Sequence, residues 1–191
     1  MIITKTPLRV SFFGGGSDIP QFYNNNRGLV ISTTIDRPIY IAVNGTRTPH
    51  TKVVYSEIEI VDWSSQLKHD RVREVLQYYG IKNHIEIASF SDIPTKGTGL
   101  GSSSTFTVGL LKAILEMSGT KYNNYELAEL ACHIEIEKCN QPIGKQDQYA
   151  AAFGGFNAIT FEGDETAVIP INITTDMASR LNDNLICFNT G

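Results

Sequence analysis

Apolar residues form short β-branched runs in the first half of the chain and recur at helical spacing further along. Five of the short runs predict strands: Leu29–Ile35, Pro38–Val43, Lys52–Tyr55, Ile58–Val61 and His84–Phe90. The first two runs meet at Asp36-Arg37 and are predicted to pair with each other. The sheet of the protein is therefore expected to come mainly from this half of the chain.

Three segments place apolar residues three and four positions apart, which is typical of amphipathic helices. One runs from Val72 to Tyr79 before Gly80, and a second follows a glycine-rich loop and ends at Gly119. A third begins at Asn123, with Glu126 three residues later as in a capping box. Because strands predominate early and helices late, the pattern predicts an α+β fold more than a regular alternation of strands and helices.

The composition is that of a soluble globular protein. The 191 residues are 41% hydrophobic and 19% charged. Sixteen Lys and Arg against twenty Asp and Glu give a net charge of −4 without a basic block, so nucleic acid and anionic membranes are disfavoured as partners. No apolar run approaches the roughly 20 residues that span a bilayer, and no signal peptide is evident. We therefore expect a cytoplasmic protein that binds neither nucleic acid nor membrane.

Cysteine and histidine positions give no sign of a disulfide framework or a zinc site. Cys132, Cys139 and Cys187 are odd in number and lack CxxC spacing. His133 and Glu137 are four residues apart on a predicted helix, where such a pair is ordinary. Neither feature predicts a structural metal.

The strongest chemical signal is a loop with glycines at positions 97, 99 and 101, followed by three serines that open the second predicted helix. Glycines let the backbone approach an anion closely, and a helix N-terminus adds unpaired N–H groups and the positive end of its dipole. Serine hydroxyls there can bind phosphate oxygens or Mg²⁺. The loop is neither a Walker A sequence nor GxGxxG. The competing interpretation is a strand-to-helix turn with serine caps.

A second glycine segment follows an apolar run that contains Arg9. Gly14-Gly15-Gly16-Ser17 leads to Asp18. Asp18 with Gln21, and with Pro20 between them, is also the pattern of a helix N-terminus. The glycine triplet indicates more than a cap, because a cap needs no such backbone freedom.

A third group of polar residues lies around position 140. Glu135 and Glu137 fall on opposite flanks of a predicted buried face, so helix geometry does not choose between them. Asp147 follows a Pro/Gly break in Gly144-Lys145-Gln146-Asp147-Gln148. It suits either a buried site or a surface turn.

Taken together, the three segments resemble the GHMP kinases, the family of galactokinase, homoserine kinase, mevalonate kinase and phosphomevalonate kinase. Gly99-Leu100-Gly101-Ser102-Ser103, with Pro94 upstream, resembles the phosphate-binding motif of the family. Gly15-Gly16 departs from galactokinases, which carry Glu-His there, and resembles the branch acting on heptose phosphates. The resemblance implies the N-terminal domain of that fold, a mixed or antiparallel sheet packed with helices and related to a ribosomal protein domain.

The resemblance also implies a role for each segment, in an ATP-dependent sugar kinase that uses Mg²⁺. Asp147 would accept the proton of the acceptor hydroxyl with Arg9 beside it, and Ser103 and Glu135 would ligate Mg²⁺, family spacing favouring Glu135 over Glu137. The ATP phosphates would lie against Lys96, Gly97, Thr98, Gly99, Leu100, Gly101, Ser102, Ser103 and Ser104. The sugar would lie against Gly14, Gly15, Gly16, Ser17, Asp18, Lys145 and Gln146.

The family implies a second half that closes over the substrate. We expect residues 1–180 to form the ATP-binding domain and residues 181–191 to form the first strand of that half. A separate C-terminal half or a homo-oligomer would then be needed for activity. The most favoured acceptor is a heptose 7-phosphate, and an L-fucose-type sugar is an alternative. A nucleotide- or sugar-phosphate-binding sensor without catalysis is the other class of function.

Overall fold

Seven strands form one mixed sheet within residues 1–93, 98–186 and 188, the part of the chain that this computed structural model describes. All neighbouring strands are antiparallel except β3 and β5, which are parallel. The strands are β1 (Ile2–Phe13), β2 (Gly28–Gly45), β3 (Thr51–Val54), β4 (Ile58–Val61), β5 (Ile85–Ser91), β6 (Phe156–Glu162) and β7 (Glu165–Pro170). The predicted α+β class with a mixed sheet is confirmed.

One long strand, β2, stands where two paired strands were predicted. Gly28–Gly45 is continuous, and β1 runs antiparallel along one edge of it while β5 and β6 share the other edge. The predicted pairing across Asp36-Arg37 was therefore wrong. A tight two-residue hairpin of type I′ needs positive φ at both central residues, and Arg37 adopts it less readily than the glycine that is usual there. The register instead shifts between Pro7 and Arg9 of β1.

Six α-helices lie in the described part of the chain: α1 (Pro20–Tyr23), α2 (Asp70–Tyr78), α3 (Ser102–Ser118), α4 (Asn124–Cys132), α5 (Gln146–Phe153) and α6 (Thr175–Asp183). The three predicted helices are confirmed as α2, α3 and α4. Both bonds of the predicted capping box at Asn123 and Glu126 are present, at 3.0 and 2.8 Å. Helix α5 was not predicted, because its run of alanines shows no helical periodicity.

The core lies between the sheet and the helices. Alternate residues of β2, such as Ile39, Ile41 and Val43, are fully buried, as are Leu110 and Leu111 of α3. Helix α3 packs against β1, β2 and α5, so its N-terminus is held next to the start of α5. The fold thus brings together two segments that are more than forty residues apart in sequence.

A π-helical turn, His133–Lys138, continues α4. Such a turn is wider than an α-helical turn, and it changes the direction in which its side chains point. Glu135 is fully buried, whereas the side chain of Glu137 is 67% exposed and lies 2.8 Å from His133 Nδ1. For this reason, α-helical spacing alone does not distinguish the two acids.

The last described residues belong to a helix and a short segment without regular secondary structure. The predicted domain boundary after residue 180 falls within α6, which ends at Asp183. Leu185 and Ile186 have no regular secondary structure and are exposed. Cys187 and residues 189–191 lie outside the described residues, so the predicted strand and domain division remain predictions. In the described residues, no helix combines the length and apolarity needed to traverse a membrane.

Candidate functional site

Arg9 of β1 connects all three polar segments. Its guanidinium donates from Nε to Asp147 Oδ1 at 2.7 Å, and Nη2 lies 2.5 Å from the same oxygen. Nη1 donates to the carbonyl oxygen of Gly99 at 2.5 Å, and the backbone N–H of Arg9 donates to the carbonyl of Leu100 at 3.2 Å. Arg9 is only 9% exposed. The glycine loop and Asp147 are therefore held around one buried cation.

The second carboxylate oxygen of Asp147 faces the start of α3. A Cβ atom on Gly101 would lie 3.1 Å from Asp147 Oδ2, and the φ of Gly101 is +73°. Only glycine suits this position, because the backbone is left-handed and the carboxylate approaches it closely. Since Arg9 holds Oδ1, Oδ2 is the oxygen that faces the predicted phosphate loop.

Burial and charge act in opposite directions on Asp147. Burial raises the pKa of this carboxyl above its ordinary value, and the neighbouring Arg9 guanidinium lowers it by charge and hydrogen bonding. Burial has the larger effect, so the net direction is upward. Arg9 offsets part of a desolvation penalty.

The predicted phosphate-binding residues lie at and before the N-terminus of α3. Gly101 is the N-cap and has no side chain to occupy the first N–H groups of the helix. Ser103 is exposed and Ser104 is buried, while Ser102 is partly exposed and has an interaction of its own. Lys96 and Gly97 fall outside the described residues. The helix N-terminus is therefore suited to an anion.

Glu135 is fully buried among three hydrogen-bond donors. Its Oε1 accepts from Arg71 Nε at 2.8 Å and from Thr107 Oγ1 at 2.9 Å. Its Oε2 accepts from Gln148 Nε2 at 2.6 Å. These donors come from α2, α3 and α5, so one carboxylate joins three helices. The spacing of the family motif favoured Glu135 over Glu137 as the predicted Mg²⁺ ligand. In the structure the side chain of Glu135 points into the protein interior.

The donors around Glu135 leave lone pairs unused on the side of Oε2. Carboxylates have about four lone-pair positions. The donors found among the described residues fill two on Oε1 and one on Oε2. The buried Oε1 of Gln148 has no hydrogen-bond partner. Two hard oxygen atoms with lone pairs thus lie close together, which is the chemistry Mg²⁺ prefers. No cluster of three His, Cys, Asp or Glu side chains suited to a metal occurs among the residues described, so a cation would also need hydroxyl, amide or nucleotide oxygens.

Asp18 caps a helix other than the one its sequence pattern indicates. Helix α1 begins after Ile19 without a side-chain cap. Asp18 is 2% exposed, and its Oδ2 accepts from the backbone N–H of Gln146, the first residue of α5, at 3.0 Å. Its Oδ1 accepts from the backbone N–H of Gly16 at 3.1 Å. Asp18 therefore fixes the helix start that carries Asp147.

The remaining predicted sugar-binding residues gather near this contact. Gln146 accepts from Ser11 Oγ at 2.8 Å through its side-chain oxygen. Ser17 Oγ donates to the carbonyl of Gly14 at 2.7 Å, which closes the glycine turn on itself. The ammonium of Lys145 lies 3.2 Å from Glu129. These contacts hold the segment in shape, and the role of each residue towards a sugar remains a prediction.

One family of proteins shares the sequence of the central region. Residues 67–155 match the family model described as the GHMP kinases N terminal domain. A D-glycero-alpha-D-manno-heptose 7-phosphate kinase of Campylobacter jejuni is 32% identical over 99% of this chain. Residues 67–155 form a GHMP kinase N-terminal domain.

Two further proteins are similar to the chain that contains this GHMP domain. A crystal structure of a D-glycero-D-manno-heptose 1-phosphate kinase from Bacteriodes thetaiotaomicron matches 95% of the chain with a TM-score of 0.86 at 30% identity. A galactokinase of Pyrococcus furiosus is 26% identical over 86% of the chain. The chain spans 59%, 63% and 47% of the Campylobacter, Bacteriodes and Pyrococcus relatives, respectively.

Sequence reasoning missed three residues around Glu135 of this GHMP domain. Arg71 lies 64 residues away in sequence, and no local pattern links it to Glu135. Thr107 resembles any residue of a buried helix. Gln148 carries a weak signal, since it is a polar residue ahead of the apolar run Tyr149-Ala150-Ala151. Only the packing of α2, α3 and α5 shows what they contact.

Gly144→Ala is expected to destabilise the GHMP domain by about 1–3 kcal/mol, the usual cost of overpacking a well-packed site. The added Cβ would lie 2.0 Å from Asp18 Oδ2 and 2.8 Å from the backbone oxygen of Asp18. Urea unfolding measures the change. Gly45→Ala is the control, since its Cβ would contact nothing within 4 Å. Equal stability of the two variants would contradict the close approach.

Proposed function

We propose that the chain is the nucleotide-binding part of an ATP-dependent sugar kinase. The observation that carries the proposal is the position of Asp147: one oxygen is held by Arg9, and the other faces Gly101 at the N-terminus of α3. A carboxylate beside a phosphate-binding helix terminus is what phosphoryl transfer to a hydroxyl requires. The similarity to GHMP sugar kinases supports this choice of reaction.

The nucleotide phosphates would bind at the glycine loop and the first turn of α3. The N–H groups there, together with the helix dipole, would stabilise negative charge without reorganising during the reaction. Ser103 and Glu135 would hold Mg²⁺, with Glu135 presenting Oε2. When bound, the cation would neutralise charge on the transferring phosphate.

Asp147 would orient the acceptor hydroxyl and take its proton through Oδ2. Arg9 would keep the other oxygen fixed and supply the positive charge that favours the carboxylate form. Because Arg9 also binds the carbonyl oxygen of Gly99, it would set the distance between base and phosphate loop. Positioning of this kind accounts for much of the rate enhancement in phosphoryl transfer.

The acceptor proposed is D-glycero-D-manno-heptose 7-phosphate, phosphorylated at its anomeric hydroxyl. The identity of 32% to a heptose 7-phosphate kinase over nearly the whole chain supports this acceptor. A sugar that carries a phosphate needs a cation besides Arg9. Arg27 and Arg37 are available, since their exposed pairs with Glu162 and Asp92 are long, at 3.9 and 3.7 Å.

A coupled ADP-release assay tests the proposal. Heptose 7-phosphate is expected to give sugar-dependent ADP formation, with L-fucose and galactose as competing acceptors and a no-sugar reaction as the control. Calorimetry with Mg·ATP runs beside it. Nucleotide binding without turnover on any sugar would support either a sensor or a part of a kinase that is inactive without its C-terminal half. Absence of nucleotide binding would contradict both the kinase and the sensor.

A further inference from the structure

Gln148 is the one residue of the buried cluster whose polar atoms are only half satisfied. Its side chain is fully buried, and Nε2 donates to Glu135 Oε2 at 2.6 Å. Its Oε1 is also buried and has no hydrogen-bond partner among the residues that the structure describes. A buried amide oxygen without a donor is costly, so it calls for an explanation.

Glu135 determines which way the amide of Gln148 points. If the amide were turned over, Oε1 would face a carboxylate oxygen at hydrogen-bond distance, and two acceptors would repel each other. Nε2 must therefore face Glu135, and Oε1 must face elsewhere. Turning the amide cannot satisfy the buried oxygen.

The other hydrogen bonds of Glu135 are made by its other oxygen, Oε1. Arg71 and Thr107 both donate to Oε1, at 2.8 and 2.9 Å. Gln148 is the donor to Oε2 within the described part of the chain. The carboxylate is thus neutralised on one side, while the other side presents an oxygen next to the amide of Gln148.

We propose that Gln148 completes the divalent-cation site, with Nε2 holding Glu135 Oε2 and Oε1 facing the hydrated cation. This inference rests on the proposed function. Mg²⁺ loses its waters reluctantly, and an amide oxygen is a good acceptor for such a water. Residues that orient a metal ligand in this way typically change metal affinity by 10- to 100-fold when replaced. Gln148 therefore acts as a positioning residue.

Two variants separate this role from simple anchoring of Glu135. Gln148→Met removes the donor and the acceptor at similar size, whereas Gln148→Glu keeps oxygens at the end of the side chain and removes the donor. Calorimetry gives the affinity for a non-hydrolysable ATP analogue with Mg²⁺ and in EDTA. The ratio of these two affinities is the cation-dependent gain. Gln77→Met, on the exposed side of α2, is the matched control.

We expect Gln148→Met to lower the cation-dependent gain about tenfold and to leave the affinity in EDTA near that of the parent. Gln148→Glu is expected to lose less of the gain than Gln148→Met, because it keeps an acceptor oxygen although its carboxylate repels Glu135 Oε2. An unchanged gain in Gln148→Met, or an equal loss in both variants, would overturn the inference, because Oε1 would then hold only a structural water. Nucleotide binding by the parent in EDTA shows separately whether the proposed function stands. Circular dichroism confirms that each variant is folded.

Discussion

Asp147→Asn is expected to lower turnover at least about 100-fold while nucleotide affinity stays close to that of the parent, the usual scale for loss of a general base. Asparagine has nearly the same size and keeps an oxygen that can accept from Arg9. It has no negative charge at the position of Oδ2 and cannot take the proton of the acceptor hydroxyl. Because Oδ2 faces Gly101, the loss occurs where the phosphate and the hydroxyl would meet.

The measurement is turnover by coupled ADP release, with nucleotide affinity from calorimetry. Asp36→Asn is the matched control, since the Asp36 side chain is 96% exposed and forms a long pair with Lys5. It should keep the activity of the parent. Turnover of Asp147→Asn within a few-fold of the parent would remove Asp147 from the mechanism, and a large loss of nucleotide affinity would point to a structural defect.

The parts of this site that sequence could predict are those marked by local patterns. The glycine loop stood out by its neighbours, whereas the roles of Arg9 and Asp147 followed from the resemblance to the GHMP kinases. The structure brings Arg9, Asp147 and the described end of the loop together. Helix ends with glycine or a capping box were placed within about two residues for the same reason. Neighbouring residues determine these local backbone features, so the sequence alone predicts them.

Contacts over long separations could not be read in this way. The Asp18 pattern indicated a cap for the helix next to it, yet tertiary packing gave that carboxylate the N-terminus of α5, 128 residues away. The choice between Glu135 and Glu137 depended on a π-helical turn that changes side-chain direction without a sequence signal. The pairing of β1 with β2 likewise depended on which partner was available, not on the propensity of either strand.

Arg71→Met is expected to destabilise the protein by about 3–5 kcal/mol, the usual cost of leaving a buried charge without its partner. Glu135 has no exposed surface, and the Arg71 side chain is only 16% exposed. Burial lowers the pKa of Arg71, but the hydrogen bond and charge of Glu135, with the charge of Asp70, together raise it more, so the net direction is upward. The guanidinium therefore stays charged beside the carboxylate. Thr107 and Gln148 would remain as donors, but neither carries a positive charge.

Urea unfolding at neutral pH measures the loss, with Arg37→Met as the control. The Arg37 pair with Asp92 is exposed and 3.7 Å long, so its loss should cost less than about 1 kcal/mol. The double variant Arg71→Met/Glu135→Gln tests the cause, because it removes the charge that Arg71 compensates. It should be more stable than Arg71→Met alone. Two results would contradict a stabilising role for the Arg71–Glu135 ion pair. One is a loss of unfolding free energy in Arg71→Met no larger than that in Arg37→Met. The other is a double variant that is no more stable than Arg71→Met.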